Sequence, residues 1–131
     1  MKTVYQKYKQ SSIQSASKEK ILLMLYEGAI KFTKLAIKAC EEKKIADRGM
    51  NIGKAYDIVM ELNNTLDHKI GGEISSNLEQ LYLFMMSQYT KTNSTGDVSH
   101  IQANLKILEN LYDGWVQAIE KLKKESESIK K

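Results

Sequence analysis

Apolar residues recur at alternating intervals of three and four over four long segments of this 131-residue chain. Such spacing places the apolar side chains along one face of a helix. Proline is absent from the whole sequence, which favours long uninterrupted helices over a β-rich fold with many tight turns. The pattern therefore predicts an all-α fold.

The predicted helices cover about residues 17–43, 47–68, 73–91 and 97–124. Ser17, Asp47 and Asp97 have side chains suited to capping helix N-termini. The Gly71–Gly72 pair and the polar stretch 92–96 are expected to break the chain between helices. Helices of this length with short connections pack as antiparallel neighbours. We therefore expect an antiparallel four-helix bundle in residues 17–124, with a flexible N-terminal tail (1–16) and a charged C-terminal tail (125–131).

Each predicted helix contributes one apolar stripe to the core of the bundle. In chain order, the stripes are Ile21, Leu25, Gly28, Phe32, Leu35 and Ala39; Ile52, Ala55, Val59, Leu62 and Leu66; Ile74, Leu78, Leu81, Met85 and Tyr89; and Ile101, Leu105, Leu108, Tyr112, Trp115, Ile119 and Leu122. Ile58 and Ile107 fall beside the stripes of their own helices.

The first helix carries a second apolar face, which is expected to point away from the core. An exposed apolar patch usually marks an interaction site, and the spacing suits a groove that receives a helix. The same pattern also fits a first helix buried at the centre of the bundle, or a homodimer interface. The third helix shows the same feature more weakly. The candidate partner-binding residues on these two helices are Leu23, Tyr26, Ile30, Ile37, Leu83 and Phe84.

The N-terminal tail holds two further candidates, Tyr5 and Tyr8, in an otherwise polar stretch. These rings could fold back over the exposed face when no partner is bound. A plain disordered leader accounts for the same residues equally well.

The charge distribution disfavours a nucleic-acid-binding face. The net charge is +4, but residues 1–20 alone carry +4 and the body, residues 21–118, carries −2. A folded DNA-binding face should be basic on the body itself, and the sequence has one arginine, Arg48. The sequence contains no apolar run long enough to insert in a membrane, and the N-terminus lacks a secretory signal. We expect a cytoplasmic protein.

No arrangement of reactive residues indicates an enzyme, a metal site or a cofactor. The two histidines, His68 and His100, lack the Glu-x-x-His pairs of a di-iron bundle. Cys40 is the single cysteine and is expected to be a packing residue beside acidic neighbours. Gly71–Gly72 is followed by glutamate, which opposes a phosphate site at that helix start. The chain is expected to act by binding.

Several blocks of the sequence together resemble the flagellar secretion chaperone FliS family. The first is KILLMLYEGAIKF at residues 20–32, and the second is ELNNTLD at residues 61–67. The blocks GGEISSNL at residues 71–78 and LYLFM at residues 81–85 follow in the family's order. Trp115 and an N-terminal tyrosine near Tyr5 or Tyr8 also match, so the resemblance spans nearly the whole chain.

This resemblance implies a bacterial cytoplasmic four-helix bundle whose client is flagellin. The family binds the C-terminal segment of flagellin, which becomes helical as it wraps the bundle. Binding prevents premature polymerisation and delivers flagellin to the flagellar type III export apparatus. Contacts with export components, and with the regulator of flagellin translation, are implied without assignable residues. A helical adaptor or homo-oligomer module without a chaperone role, and a nucleic-acid-binding bundle, are the alternatives.

Overall fold

A computed structural model describes residues 17–130, and within that range the chain forms four α-helices and no strand. The helices are α1 (Lys18–Glu41), α2 (Ile45–Asn64), α3 (His68–Thr95) and α4 (Ser99–Lys130). The predicted all-α class is confirmed.

The helices follow one another around the bundle. α1 packs beside α2 and α4, and α3 packs beside the same two helices, so α1 and α3 lie on a diagonal. Two side-chain pairs cross this diagonal: Tyr26 meets Tyr82, and Thr33 meets Tyr89. Both partners advance together along the chain, so α1 and α3 run in the same direction. That is the arrangement of an up-down-up-down bundle, and the predicted antiparallel four-helix bundle is confirmed.

The turn between α2 and α3 lies earlier than the glycine pair suggested. α2 ends at Asn64, and Asp67 caps α3 by accepting hydrogen bonds from the backbone N–H groups of Lys69 and Ile70 at 3.0 and 3.1 Å. The predicted end of this helix at His68 is therefore wrong. An aspartate cap satisfies backbone donors that the glycines cannot, and this fixes the helix start before them.

Gly72 kinks α3 close to its start. Its backbone has φ 51° and ψ −120°, a combination that side chains with a Cβ rarely adopt. The Ser75 hydroxyl donates to the Asp67 carbonyl at 3.0 Å and so ties the first turn to the rest of the helix. Gly72 thus bends a helix that the sequence predicted to begin only at residue 73.

The core is continuous and holds side chains from all four helices. Its buried apolar members include Leu25, Tyr26, Ala29, Ala36, Ile52, Ala55, Ile58, Val59, Leu62, Tyr82, Met85, Tyr89, Ile101 and Leu108. The predicted α2 stripe is confirmed at Ile52, Ala55, Val59 and Leu62. Ile58, predicted to lie beside that stripe, is also buried, because α1 and α3 cover two sides of α2.

Four residues predicted for the core are exposed instead. Polar residues such as Ser75, Gln88 and Thr92 occupy buried positions on α3, which turns the apolar residues beside them outward. On α1 the buried face includes Thr33 and small residues such as Ala36. The displaced residues are Leu35, Ile74, Leu81 and Leu122.

α4 extends to Lys130, beyond the predicted end near Lys124. Residues 120–129 are exposed on every face, so this last part of the helix projects past the core. Among the described residues, no helix is long and apolar enough to cross a membrane.

Candidate functional site

Tyr26 lies in the core of the bundle and not on its outer face. Its side chain is 0% exposed, and its hydroxyl oxygen lies 2.5 Å from that of Tyr82 on α3. The prediction that Tyr26 faces outward is therefore wrong. The buried face of α1 centres on Ala29 and Thr33. A pattern of large apolar side chains does not reveal this face, because one of these residues is small and the other is polar.

Leu23 and Ile30 lie on the side of α1 that faces α4. Leu23 lines a cleft at the start of α1, and Ile30 lines a second cleft two turns later. Both side chains are partly buried. Ile37 is also partly buried and packs against the core. Two of the predicted α1 residues, Leu23 and Ile30, therefore lie on one accessible surface.

The two clefts lie along a single seam, which we call the α1–α4 groove. On α1 its lining residues follow steps of three and four, from Lys20 through Leu23 and Glu27 to Ile30 and Lys34. This spacing traces one stripe along the helix. α4 runs antiparallel beside it and supplies the facing wall. The apolar side chains of the groove are Leu23, Ile30, Leu35, Tyr112, Ile119 and Leu122.

Four of these six residues were predicted to lie in the core. Leu35 and Leu122 are 40% and 61% exposed, and Tyr112 and Ile119 are partly buried. One signal was available for Leu122, because charged Lys121 and Lys123 flank it on both sides. For the others, periodicity alone does not distinguish a core stripe from the edge of a groove.

Charges of both signs line the rims of the α1–α4 groove in equal number. The pair Lys34–Glu109 spans the groove with Nζ and Oε2 3.9 Å apart. Both side chains are about half exposed, and such a pair contributes little to stability. The four lysines and four carboxylates are Lys20, Lys31, Lys34, Lys123, Glu19, Glu27, Glu109 and Asp113. A balanced rim favours a ligand chosen by apolar shape over one chosen by net charge.

Tyr112 presents a neutral hydroxyl at the centre of the groove. Loss of solvent around it, followed by the negative charge of Glu27 and a hydrogen bond to that carboxylate, raises the pKa of Tyr112. The phenol thus stays protonated to a higher pH than a free tyrosine does. Its ring offers an apolar face and its hydroxyl a donor, a combination enriched at protein interfaces.

Leu83 and Phe84 are exposed but lie elsewhere. Their side chains are 50% and 47% accessible, and they lie on α3, diagonal to α1. The structure therefore does not bring them together with Leu23 and Ile30. Two further candidates, Tyr5 and Tyr8, lie outside the described residues.

The two histidines each lie close to a carboxylate of the same chain. His68 Nε2 lies 3.2 Å from a Glu79 carboxylate oxygen, and His100 Nε2 lies 3.7 Å from one of Asp97. Burial raises the pKa of the Cys40 thiol, which opposes thiolate formation. What the described surface offers to another molecule is a long, partly apolar groove between two helices.

Comparisons with known proteins identify the family and the fold. The flagellar protein FliS family matches residues 1–122 of the chain. The flagellar secretion chaperone FliS of Vibrio cholerae serotype O1 is 35% identical over 121 residues, covering 89% of each chain. The protein of the same name from Bacillus subtilis strain 168 is 31% identical over 121 residues, covering 92% of this chain and 90% of its own. A crystal structure of a flagellar chaperone from bacteria superposes with a TM-score of 0.75 at 26% identity, covering 89% of this chain and 95% of the other.

Proposed function

The chain belongs to the flagellar protein FliS family, and from this we propose that it is a flagellar secretion chaperone that holds flagellin by its C-terminal segment. We assign the binding surface to the α1–α4 groove, and the presence of this groove is the structural observation that supports the proposal. The segment would lie in that groove as an amphipathic helix.

The size of the groove suits one helix of the client. Its lining residues on α1 extend from Glu19 to Leu35, a distance of about 24 Å at the helical rise per residue. A helix of about four turns would cover this length. Anchors at intervals of three and four on the client would meet the stripe formed by Leu23, Ile30 and Tyr112.

The expected affinity is moderate. Full burial of an exposed large apolar side chain contributes about 1.5–3 kcal/mol, and most of the six groove residues are already partly covered. Loss of rigid-body freedom alone costs roughly 4–15 kcal/mol, and ordering a disordered segment adds to that cost. A moderate net affinity suits a client that must later be released.

Binding of this kind would control polymerisation by mass action. A client helix that is buried in the groove cannot also form filament contacts, so the concentration of assembly-competent subunits falls. We place this step in the cytoplasm, before delivery to the flagellar type III export apparatus. Leu83 and Phe84 remain proposed contacts for a client segment long enough to continue around the bundle, and Tyr5 and Tyr8 for one that also meets the N-terminus.

A peptide titration tests the proposal. The probe is the C-terminal segment of flagellin from the same bacterium, followed by calorimetry and circular dichroism, with a scrambled peptide as the control. We expect binding near one to one, with a gain of helix beyond the sum of the two components. A helical adaptor or homo-oligomer module would give neither signal with this peptide.

Matched substitutions place the site. Leu122→Ser removes an apolar side chain from the groove that is 61% exposed, and Ile45→Ser removes one from the start of α2 that is 70% exposed. Leu122→Ser should weaken the affinity for the flagellin segment several-fold, and Ile45→Ser should leave that affinity unchanged. Equal effects of both substitutions would contradict the assignment of the α1–α4 groove.

A further inference from the structure

A second groove runs along the other side of α1, between α1 and α2. Its floor is apolar and comprises Phe32, Leu35, Ala39 and Met50. Met50 is 52% exposed, so part of this floor meets solvent. We call this surface the α1–α2 groove.

The rim of the α1–α2 groove is basic. Lys31, Lys38, Lys44 and Lys54 line it, against the two carboxylates Glu42 and Asp47. One carboxylate is already paired, because Lys44 Nζ lies 3.1 Å from Glu42 Oε2. The α1–α4 groove carries equal numbers of the two signs, so the excess of lysine is specific to this side of α1.

Two of these lysines are held close to the apolar floor. The Lys31 and Lys54 ammonium groups lie 5.4 and 5.1 Å from the centroid of the Phe32 ring. Contact of an ammonium with a ring face is favourable, and it keeps both positive charges beside the groove. Apolar contact and positive charge are thereby offered to the same ligand.

Two candidate occupants from the chain itself carry the wrong charge. Residues 1–16 contain three lysines and no acidic residue, so the N-terminal segment has the same sign of charge as the rim. α1 of a second copy also carries more lysines than carboxylates. Like charges brought together at an interface oppose association.

We propose that the α1–α2 groove docks an acidic amphipathic helix of a second protein. Apolar residues on one face of that helix would cover Phe32 and Met50, and carboxylates on its flanks would meet Lys38 and Lys54. The arrangement is a helix in a groove. Lys31 and Leu35 line both grooves, whereas the four residues named here line the α1–α2 groove alone. The proposed function gives this chain flagellin as a client, and the α1–α2 groove adds a second partner of opposite charge.

A pair of synthetic peptides tests the proposal directly. The probe is an amphipathic helix with leucine on one face and glutamate on the other, and its control carries lysine in place of every glutamate. We expect the acidic peptide to bind the full chain with an affinity that falls as salt is raised, and the basic peptide not to bind. Equal binding of both peptides would overturn the proposal.

Charge reversal locates the site. Lys38→Glu with Lys54→Glu should weaken the affinity for the acidic peptide about tenfold or more. The control pair, Lys106→Glu with Lys121→Glu, makes the same change of net charge on α4, away from the groove, and should have a much smaller effect. Equal losses in both pairs would show a general attraction to a basic protein and would refute a defined site.

Two further variants guard against misfolding and separate the two sites. Lys38→Met with Lys54→Met removes the charges without adding like-charged neighbours, and it should weaken the peptide in the same direction. Leu122→Ser should weaken binding of the flagellin segment and leave binding of the acidic peptide unchanged. Met50→Ser should weaken binding of the acidic peptide and leave binding of the flagellin segment unchanged. Loss of both ligands in each single variant would contradict two separate grooves, whereas failure of flagellin binding alone leaves the acidic-helix site standing.

Discussion

The hydroxyl oxygens of Tyr26 and Tyr82 lie 2.5 Å apart in the core and join α1 to α3 across the diagonal of the bundle. Seven residues further along each helix, the Thr33 hydroxyl meets that of Tyr89 at 2.7 Å. Thr33 donates its own proton to the Ala29 carbonyl, so Tyr89 donates to Thr33. These two polar contacts fix which helices lie opposite one another and in what register.

A double-mutant cycle tests the Tyr26–Tyr82 contact. Tyr26→Phe leaves the Tyr82 hydroxyl in the core without its partner, and an unsatisfied buried hydroxyl costs about 1–3 kcal/mol. Tyr82→Phe does the same to Tyr26. The double variant removes both hydroxyls and should be more stable than the sum of the single losses predicts. Denaturant unfolding measures all four proteins, and strictly additive losses would show that the hydroxyls do not interact.

This contact also shows what periodicity could and could not predict. The α2 stripe was predictable because its buried positions, such as Ile52 and Val59, are aliphatic. On α1 and α3 the buried faces include Thr33, Ser75 and Gln88, whose polarity gives no apolar signal. Tyr26 was placed outside for that reason, and the true groove residue Leu35 was placed inside.

At the start of α3 the helix boundary follows local capping chemistry and not the glycines. The start of α2 does not, because this helix begins at Ile45, before the predicted cap Asp47, and has no side-chain cap. Asp67 starts α3 because its carboxylate accepts two backbone N–H groups, whereas Gly72 only bends the helix. The end of α4 was missed because no breaker marks it and the sequence after Lys124 favours helix as readily as tail. The α1–α4 groove could not be predicted fully, since it depends on which helix lies beside α1.

High pH should weaken the fold through buried tyrosines. Burial raises the pKa of Tyr89 to about 12, and it raises those of Tyr26 and Tyr82 as well. A tyrosine in the unfolded chain titrates near pH 10, so the folded state keeps protons that the unfolded state loses. The contribution is present below about pH 10 and is lost as pH rises above it.

Urea midpoints measured from neutral pH to about pH 12 test this expectation. The midpoint should fall across the upper part of that range, and Tyr89→Phe should reduce the slope. A midpoint that stays constant up to pH 12 in the parent protein would contradict the burial of these phenols.

Arg48 connects the start of α2 to the end of α3. Its Nη2 donates to the Asn93 carbonyl at 3.0 Å, where the partial negative charge of the α3 C-terminus is concentrated. Arg48→Met should destabilise the fold by about 1 kcal/mol, which is the usual contribution of a cation near a helix C-terminus to stability. Arg48→Lys should recover part of that loss, and thermal unfolding compares the three proteins. An unchanged melting temperature in Arg48→Met would mean that the contact makes no net contribution to stability.

Ile30→Asp should impair binding of the flagellin segment more than it impairs folding. The side chain lines the α1–α4 groove among charges of both signs. A carboxylate at this position would face the apolar side chains of the client and would lose solvent on binding. Ile30 also packs against the core, and we expect a stability loss of about 1–3 kcal/mol. Calorimetry with a melting curve separates the two effects. Complete unfolding would identify Ile30 as a core residue.

The most direct test follows the methyl resonances of the chain as the flagellin C-terminal segment is added. The proposed function predicts large shifts for the methyl groups of Ile30, Leu35 and Leu122, which line the α1–α4 groove, and small ones for Ile45 at the start of α2. Binding that leaves Ile30 and Leu122 unshifted, or no binding at all, would contradict a client held between α1 and α4.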